Sequence, residues 1–341
     1  MLVRLATSLV CAIAASMLAA CSTGASSNPL TPTHLALSAM QTLTESTRAD
    51  VRFGLAPQLI EAQRAKVSVG WWAHPDRKQP TLFVSDLNGG PPQIRIYPAN
   101  VKNPTQSGSI TQGIDLPINV AVDKQGTIYV ANNGNSTVTE YPFGATSPSV
   151  TLSTQIVNPN GIAVDSHGTV YVTSGASVGS CYVLEFPKGS TSPSVQVNGF
   201  GLPIGLAIDS SDNLYVADAA FSNYKVWEVP AGTTSPQNLG LTGLADDTGA
   251  AVDGANDLYI SNYSSNSVLG YHLGQTTPFV TISSPLHEPY ALGFNSKGTL
   301  FVGNYSGFVT GFKKGHTTDF ESFTSGMVTP TGIAVYKPTG F

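Results

Sequence analysis

The sequence predicts an all-β fold, a six-bladed β-propeller of four-stranded antiparallel blades. One pattern recurs along the chain: an apolar strand ending in Asp or Asn, a tight turn, and a second apolar strand. The Asp or Asn stands at positions 123, 165, 209, 253 and 295, so successive copies are 42, 44, 44 and 42 residues apart. A fixed period of this size is typical of repeat architectures, in which each unit packs against its neighbours.

The first strand of each unit is apolar on successive residues, as at 161–164. It lacks the alternation of a half-exposed strand, which indicates burial on both faces. The Asp or Asn at its end is a residue type that starts a type I turn, and the residue three positions on tolerates a left-handed backbone. Those following residues are Gly126, Gly168, Asp212, Asn256 and Gly298. We therefore interpret the repeated acids as turn formers and not as a ring of catalytic groups.

The second strand of each unit ends in a small polar residue. These residues are Asp86, Asn132, Ser174, Asp218, Asn262 and Asn304. Side chains of this kind at the end of a strand are expected to satisfy local backbone groups. A third strand and a more polar fourth strand follow, separated by Gly-rich and Pro-rich turns. Four antiparallel strands with the most apolar innermost form one propeller blade.

The two ends of the array predict how the ring closes. Residues 81–86 match the second strand of the pattern, whereas residues 331–336 match the first. We expect the C-terminal strand to complete blade 1 and remove the open seam. The alternative is that residues 67–73 supply this strand.

The N-terminal residues predict export and a lipid anchor. Arg4 precedes an apolar stretch, and residues 18–21, Leu-Ala-Ala-Cys, resemble the lipobox of bacterial lipoproteins. This resemblance implies removal of residues 1–20, acylation of Cys21 and a position in the bacterial cell envelope, on its periplasmic or extracellular face. Residues 21–66 are expected to form a tether that includes a weakly helical segment, and residues 67–341 the propeller.

Charge and cysteine content limit the kinds of partner and of covalent cross-link that the protein can have. The net charge is −5 with no run of Lys or Arg, so the chain offers no obvious surface for nucleic acid. Cys181 is the one thiol left after acylation of Cys21 and loss of the leader, which excludes an internal disulfide. We expect Cys181 to be a buried apolar side chain and the protein to be a monomer.

The pattern Pro-x-Gly-[Ile/Leu]-Ala-[Val/Ile]-Asp, a turn, then [Ile/Leu]-Tyr-Val-Ala-[Asp/Asn] resembles the NHL repeat over about residues 81–341. It is also similar to streptogramin-lyase-like and gluconolactonase-like propellers. The resemblance implies a six-bladed propeller, a scaffold that carries both metal-dependent hydrolases or lyases and pure binding modules. The fold alone does not choose between them.

In each unit, two residues near the start of the inner strand are candidates for a site at the mouth of the central channel. The first position holds Ile118, Asn160, Ile204, Thr248, Tyr290 and Thr331. In gluconolactonase-like enzymes it supplies Asn and Asp ligands to a divalent cation, and here Asn160 alone is of that type. The second position, two residues earlier, holds Leu116, Asn158, Leu202, Asp246, Glu288 and Thr329.

Asp246 and Glu288 fall on neighbouring units, and with Asn158 they offer oxygen ligands for Ca²⁺ or Mg²⁺. His287 and Glu288 are the candidate general acid and base. The alternative is that these loop carboxylates only face water.

Candidate ligand-binding residues complete the predicted site. They are Asn160, Tyr290 and Asp247, and the aromatic residues Trp71, Trp72, Tyr263 and Tyr305 either stack on a ligand or pack between blades. We expect a non-catalytic binding or scaffolding module for a protein or glycan ligand. The alternative is a metal-dependent hydrolase or lyase.

Overall fold

The computed structural model describes residues 77–338 except 89, 176, 221, 222, 320 and 325, and only the main chain of Asp247. Its regular structure is β throughout, with 24 strands in six four-stranded antiparallel sheets. The predicted all-β six-bladed propeller is confirmed. No helix among these residues is long and apolar enough to cross a membrane. Cys21, the tether and the alternative strand at 67–73 lie outside the described residues.

Each blade runs from an inner to an outer strand. Blade 1 contains β1 (Thr81–Asp86), β2 (Gln93–Pro98) and β3 (Gly108–Ile110), with β24 (Pro330–Tyr336) innermost. Blade 2 contains β4 (Pro117–Val122), β5 (Ile128–Asn132), β6 (Thr137–Tyr141) and β7 (Val150–Leu152). Blade 3 contains β8 (Ile162–Val164), β9 (Val170–Ser174), β10 (Cys181–Phe186) and β11 (Val195–Phe200).

The second half of the ring repeats this order. Blade 4 contains β12 (Pro203–Ile208), β13 (Leu214–Asp218), β14 (Lys225–Val229) and β15 (Gln237–Asn238). Blade 5 contains β16 (Asp247–Val252), β17 (Leu258–Asn262), β18 (Ser267–Tyr271) and β19 (Val280–Ile282). Blade 6 contains β20 (Pro289–Phe294), β21 (Leu300–Asn304), β22 (Phe308–Phe312) and β23 (Glu321–Phe323).

The C-terminal strand closes the ring, as the sequence predicts. All seven residues of β24 are buried, and β24 pairs antiparallel with β1 so that Leu82 opposes Val335 and Val84 opposes Ile333. The first and last segments of the propeller thus share one blade, which leaves no unpaired inner edge at the seam. Apolar clusters fill the spaces between blades, for example Leu82 of blade 1 with Phe301 of blade 6.

The repeated acids form turns, which confirms the interpretation from sequence. Asp123 Oδ1 accepts hydrogen bonds from the amides of Gln125 at 2.9 Å and Thr127 at 2.7 Å. Asp165, Asp209, Asp253 and Asn295 make the same pair of bonds in the next four blades. We call this end of the ring the turn end. The opposite end, where the inner strands begin, is the mouth.

The polar residues that end the second strands bond to more distant backbone than the sequence predicts. Each side chain accepts a hydrogen bond from an amide of the loop that leads into the inner strand of its own blade. Asn262 Oδ1, for instance, accepts from the amide of Ala245 at 3.1 Å, and Asn304 Oδ1 from the amide of His287 at 2.9 Å. Asp86, Asn132, Ser174 and Asp218 act alike in the other blades. The mouth loops are therefore anchored to buried side chains.

Glycine lets neighbouring inner strands approach each other near the mouth. A Cβ added to Gly205 would lie 2.6 Å from the Thr248 carbonyl oxygen of the next blade, and one at Gly249 would overlap the Tyr290 carbonyl. Hydroxyl groups bridge the same gap, since Thr248 Oγ1 donates to the Pro289 carbonyl at 3.2 Å. Contact between main chains thus fixes the spacing of blades 4, 5 and 6.

Removal of residues 328–341 should abolish the cooperative unfolding transition, because it removes β24 and exposes the inner edge of β1. Removal of 339–341 alone serves as the control. The measurement is urea unfolding followed by circular dichroism, and an unchanged transition in the longer truncation would contradict ring closure by β24.

Gly249→Ala should destabilise the fold by about 1–3 kcal/mol, because the added methyl group overlaps the main chain of blade 6. Gly254→Ala is the matched control, since a Cβ there has no neighbour within 4 Å. The free energies of unfolding of both variants are compared with that of the wild type. Equal stability of the two variants would show that the close approach at Gly249 does not constrain the ring.

Candidate ligand-binding site at the mouth

The mouth loops share one backbone shape in four blades. Leu116, Asn158, Asp246 and Glu288 all have left-handed backbones, with φ of 45°, 44°, 60° and 54°. A non-glycine residue adopts this conformation only when its surroundings impose it. Since Leu116 adopts it as well, the conformation belongs to the fold and does not by itself mark Asp246 or Glu288 as functional.

The structure brings some of the predicted site residues together and separates others. Asp246 and Glu288 lie at equivalent positions of blades 5 and 6, which are neighbours, and Tyr290 is the second residue of the inner strand of blade 6. Asn158 and Asn160 belong to blade 3, which is opposite blade 6 in the ring. Asn160 Oδ1 accepts a hydrogen bond from Asn133 Nδ2 at 3.2 Å and so links blade 3 to blade 2. Asp247 begins β16, and its main chain pairs with Asn262.

Asp246 and Glu288, which we call the acidic pair, are held by similar contacts. The Asp246 carbonyl accepts from the amide of Tyr263 at 3.0 Å, and the carboxylate accepts from Ser264 Oγ at 2.8 Å. The Glu288 carbonyl accepts from the amide of Tyr305 at 2.9 Å. The Glu288 amide donates to Asn266 Oδ1 of blade 5 at 2.6 Å, which joins the two loops directly.

His287 stands beside Glu288 but points largely into solvent. Its Nδ1 is 3.8 Å from Glu288 Oε2, and 61% of the His287 side chain is exposed. This is the upper limit of an ion-pair distance, and an exposed pair of this kind contributes little energy. The two predicted catalytic residues are thus close because they are adjacent in sequence, and the fold adds no further contact between them.

The described side chains do not assemble a ligand set for a divalent cation. No group of three His, Cys, Asp or Glu side chains within this part of the chain converges closely enough to hold a metal ion. The third predicted ligand, Asn158, is exposed on blade 3, away from the acidic pair. Calcium and magnesium both require several oxygen ligands around one point. The cation site therefore stays a prediction of the sequence.

Three tyrosines, which we call the tyrosine triad, lie together at the mouth of blades 5 and 6. The ring centroids of Tyr263 and Tyr290 are 6.3 Å apart with the ring planes at 89°, and those of Tyr263 and Tyr305 are 5.9 Å apart at 77°. Tyr290 and Tyr305 are 5.8 Å apart at 42°. All three side chains are partly exposed, whereas Tyr97, Tyr141, Tyr215 and Tyr271 of the core are fully buried.

The acidic pair lies close enough to act on the triad electrostatically. Desolvation, followed by the Glu288 carboxylate, raises the pKa of Tyr263 and that of Tyr305. Desolvation also raises the pKa of Tyr290, with smaller contributions from Tyr305, Tyr263 and Asp246. The three phenols are therefore protonated at neutral pH, and they lie beside two carboxylates, with the Tyr263 hydroxyl hydrogen-bonded to Glu288.

The triad is a departure from the repeat. Tyr263 and Tyr305 follow directly on Asn262 and Asn304, and their amides donate to the carbonyls of the acidic pair. The equivalent positions of the other blades hold Leu87, Asn133, Gly175 and Ala219. Sequence reasoning named all three tyrosines but missed the shared position of Tyr263 and Tyr305. Alignment of the second strands would have found it.

Cys181 meets the expectation of a buried side chain. It is 8% exposed at the start of β10, and burial raises the pKa of its thiol. A protonated, buried thiol is a poor nucleophile. The geometry therefore gives Cys181 a packing role in blade 3.

Comparisons with known proteins support the fold. No family model and no curated protein sequence matches the chain. A chain of the nidogen/laminin complex is 17% identical with a TM-score of 0.62, covering 75% of this chain and 98% of its own. A protein of unknown function from Bacteroides caccae is 11% identical with a TM-score of 0.60, covering 76% and 99%. At these identities the likeness concerns the fold, and the chain is a six-bladed β-propeller.

Proposed function

We propose that this protein is a lipid-anchored binding module of the bacterial cell envelope and that it recognises its ligand at the mouth of blades 5 and 6. The observation that carries the proposal is the tyrosine triad beside the acidic pair. Partly exposed aromatic rings next to hydrogen-bonding groups are typical of binding sites in proteins. The nidogen/laminin neighbour is a propeller found in a complex between proteins, which agrees with a binding role.

The rest of the repeat supports a site confined to these two blades. At the turn end, the repeated acidic residues accept hydrogen bonds within hairpin turns, as Asp209 and Asp253 do. At the mouth, Thr248 and Thr331 are buried and bridge neighbouring blades through hydrogen bonds. These groups are committed to structure. The triad and the acidic pair combine partial exposure with aromatic rings and negative charge in one place.

Arg77, the first residue that the structure describes, is held against blade 2. Arg77 Nη1 donates to the Gln125 carbonyl at 3.1 Å, and its guanidinium lies 4.6 Å from the centre of the Phe143 ring. Both contacts are at the turn end of blade 2.

We also propose that the propeller belongs with NHL-repeat proteins, on the pattern of its strands and turns. The alternative of a hydrolase or lyase would need His287 or the acidic pair to act on a substrate. The exposed His287 and the absence of a third metal-binding group among the described side chains make this the weaker proposal. A protein or glycan ligand remains the proposed partner, and the protomer is proposed to act alone.

Cys21→Ser should prevent lipid attachment, because acylation requires the thiol. In a bacterial host fed an alkyne-bearing palmitate, the wild-type chain should take up label and sediment with membranes, whereas Cys21→Ser should do neither. Cys11→Ser is the control and should behave as the wild type, since Cys11 lies in the leader that we expect to be removed. Labelling of Cys21→Ser would contradict the anchor.

Replacement of both Tyr263 and Tyr305 should weaken ligand binding by at least about tenfold, the usual cost of removing aromatic anchors from a binding site. The variant Tyr263→Ala, Tyr305→Leu copies residues found at the same position in blades 4 and 1, so the fold should be retained. The full chain is screened on glycan and peptide arrays, and its hits are measured by calorimetry.

The matched control is Tyr182→Leu, which alters a partly buried tyrosine of blade 3 and should bind as the wild type. Hits that bind the double variant equally well would contradict the proposed site. Stoichiometric Ca²⁺ or Mg²⁺ in the dialysed chain that is lost in Asp246→Ala, Glu288→Ala would contradict a non-catalytic module and favour the hydrolase or lyase.

A further inference from the structure

The exposed basic residues of the propeller lie almost entirely at its turn end. The structure describes eleven Lys and Arg residues, of which Arg95 is buried against Asp86 and Lys225 lies at the mouth. The other nine are exposed and lie in the turns, hairpins and strand ends of the turn end. They are Arg77, Lys78, Lys102, Lys124, Lys188, Lys297, Lys313, Lys314 and Lys337.

Eight of these nine residues lie on three consecutive blades. Blade 6 carries Lys297, Lys313 and Lys314, and blade 2 carries Lys124. Blade 1 carries Lys102 between β2 and β3, Lys337 after β24, and Arg77 and Lys78 before β1. Ring closure gathers them, because blade 1 combines the first strand of the propeller with the last. We call these eight residues the basic patch.

Contacts between loops join the part of the patch on blades 6 and 1. Lys297 lies in the turn that begins at Asn295, and Asn295 Nδ2 donates to the Ala99 carbonyl of blade 1 at 3.5 Å. Lys314 lies over the same turn, since a Cβ added to Gly298 would be 3.1 Å from Lys314 Cδ. The lysines of blade 6 are therefore next to the hairpin that carries the basic residue of blade 1.

Contacts of the same kind join the part of the patch on blades 1 and 2. The Tyr336 hydroxyl donates to the Arg77 carbonyl at 3.4 Å, and Lys337 follows Tyr336 directly. Arg77 Nη1 donates to the Gln125 carbonyl at 3.1 Å, and Lys124 precedes Gln125. The patch is thus one continuous surface across three blades.

The repeated acid of the turn end is missing where the bases gather. Blades 2 to 5 end their inner strands in Asp, whereas the equivalent residue is Asn295 in blade 6 and Tyr336 in blade 1. The described acids at the turn end of these two blades are Asp319, which is exposed, and Glu321, which is 4% exposed and accepts from the amide of Asn103. Seven exposed bases therefore lie beside two acids.

The other side of the turn end has the opposite charge. In the described part of blades 3, 4 and 5, Lys188 is the one base at this end. Seven acids accompany it, all partly or fully buried. They are Asp165, Glu185, Asp209, Asp212, Glu228, Asp253 and Asp257. Positive charge is thus confined to one side of the ring, which is the distribution expected of an interaction surface and not of general solubility.

We propose that the basic patch on blades 6, 1 and 2 is a docking surface for an anionic lipid bilayer. Lys and Arg side chains near a negatively charged membrane surface are attracted to it, and the attraction adds up over several of them. Val101, which precedes Lys102, is 50% exposed and supplies an apolar side chain for the headgroup layer. The inference goes beyond the ligand site at the mouth and rests on the proposed lipid anchor only for the choice of partner.

A nucleic acid fits this patch less well. Surfaces that bind single strands combine a basic groove with aromatic rings on which the bases stack. Here Phe143 is already covered by the Arg77 guanidinium at 4.6 Å and packs against Tyr336 with ring centroids 5.2 Å apart. Seven of the eight bases are Lys, a compact hydrated charge, whereas bidentate recognition of phosphate groups favours Arg. Diffuse charge of this kind suits a fluid lipid surface.

The test is flotation of the full chain carrying Cys21→Ser, which has no attached lipid, with vesicles of two compositions. Phosphatidylcholine with about 30% phosphatidylglycerol should bind the chain at least about tenfold more tightly than phosphatidylcholine alone. About 0.5 M NaCl should abolish this difference, because salt screens exposed charges. The apolar leader and the basic residues before Arg77 are common to every protein compared, so they do not affect the comparison.

In the same chain, Lys102→Gln, Lys297→Gln removes two charges from the patch and should weaken binding to the anionic vesicles about 5- to 30-fold. Lys188→Gln, Lys225→Gln is the matched control, since it removes the same charge from outside the patch, and it should weaken binding less than about twofold. Thermal unfolding of each variant separates loss of binding from loss of fold.

Two results would overturn the docking surface directly: equal binding to both kinds of vesicle, or equal weakening in the two double variants. Tighter binding to a duplex DNA of about 20 base pairs than to the anionic vesicles, lost in Lys102→Gln, Lys297→Gln, would assign the patch to nucleic acid and overturn the lipid proposal. Since none of these chains is acylated, the labelling experiment on Cys21 tests the anchor separately.

Discussion

The structure depends on closure of a ring of inner strands. Because β24 pairs with β1, every inner strand has a neighbour on each side, and glycines such as Gly205 and Gly249 let those neighbours meet main chain to main chain. Side chains in this layer have little freedom to vary, since a single methyl group overlaps the next blade. The loops at the two ends of the ring are free of this constraint.

At the mouth, buried polar side chains hold the loop backbone in one conformation, although the exposed residues of the loops differ between blades. Asn262 and Asn304 hold the loops of blades 5 and 6 in the same way that Asn132 holds the loop of blade 2. Leu116 and Glu288 therefore share one left-handed conformation although their side chains differ completely. The fold supplies a fixed frame, and the residue at each mouth position is available for ligand chemistry, which is the arrangement expected of function carried by loops on a rigid scaffold.

The repeat pattern was enough to predict the blades, the turns and the closing strand, because each depends on local residue types at a fixed period. Asp123 was correctly interpreted from its turn context alone. The site was harder to predict from the sequence, because contacts between blades join residues that are far apart in the chain. Asp246 and Glu288 were correctly placed on neighbouring blades, but the spacing did not reveal that Asn158 belongs to the opposite side, or that Tyr263 and Tyr305 meet Tyr290. Their exposure depends on loop geometry that composition does not encode.

The central claim is that ligand chemistry resides at the mouth of blades 5 and 6 on an otherwise structural repeat. The most direct measurement is ¹⁹F NMR of the full chain labelled with 3-fluorotyrosine, during titration with a ligand that the glycan or peptide arrays identify. The account predicts that the signals of Tyr263, Tyr290 and Tyr305, assigned by single Tyr→Phe variants, shift together while those of the remaining tyrosines stay in place. Shifts of tyrosines in other blades, or no shift at all, would contradict it.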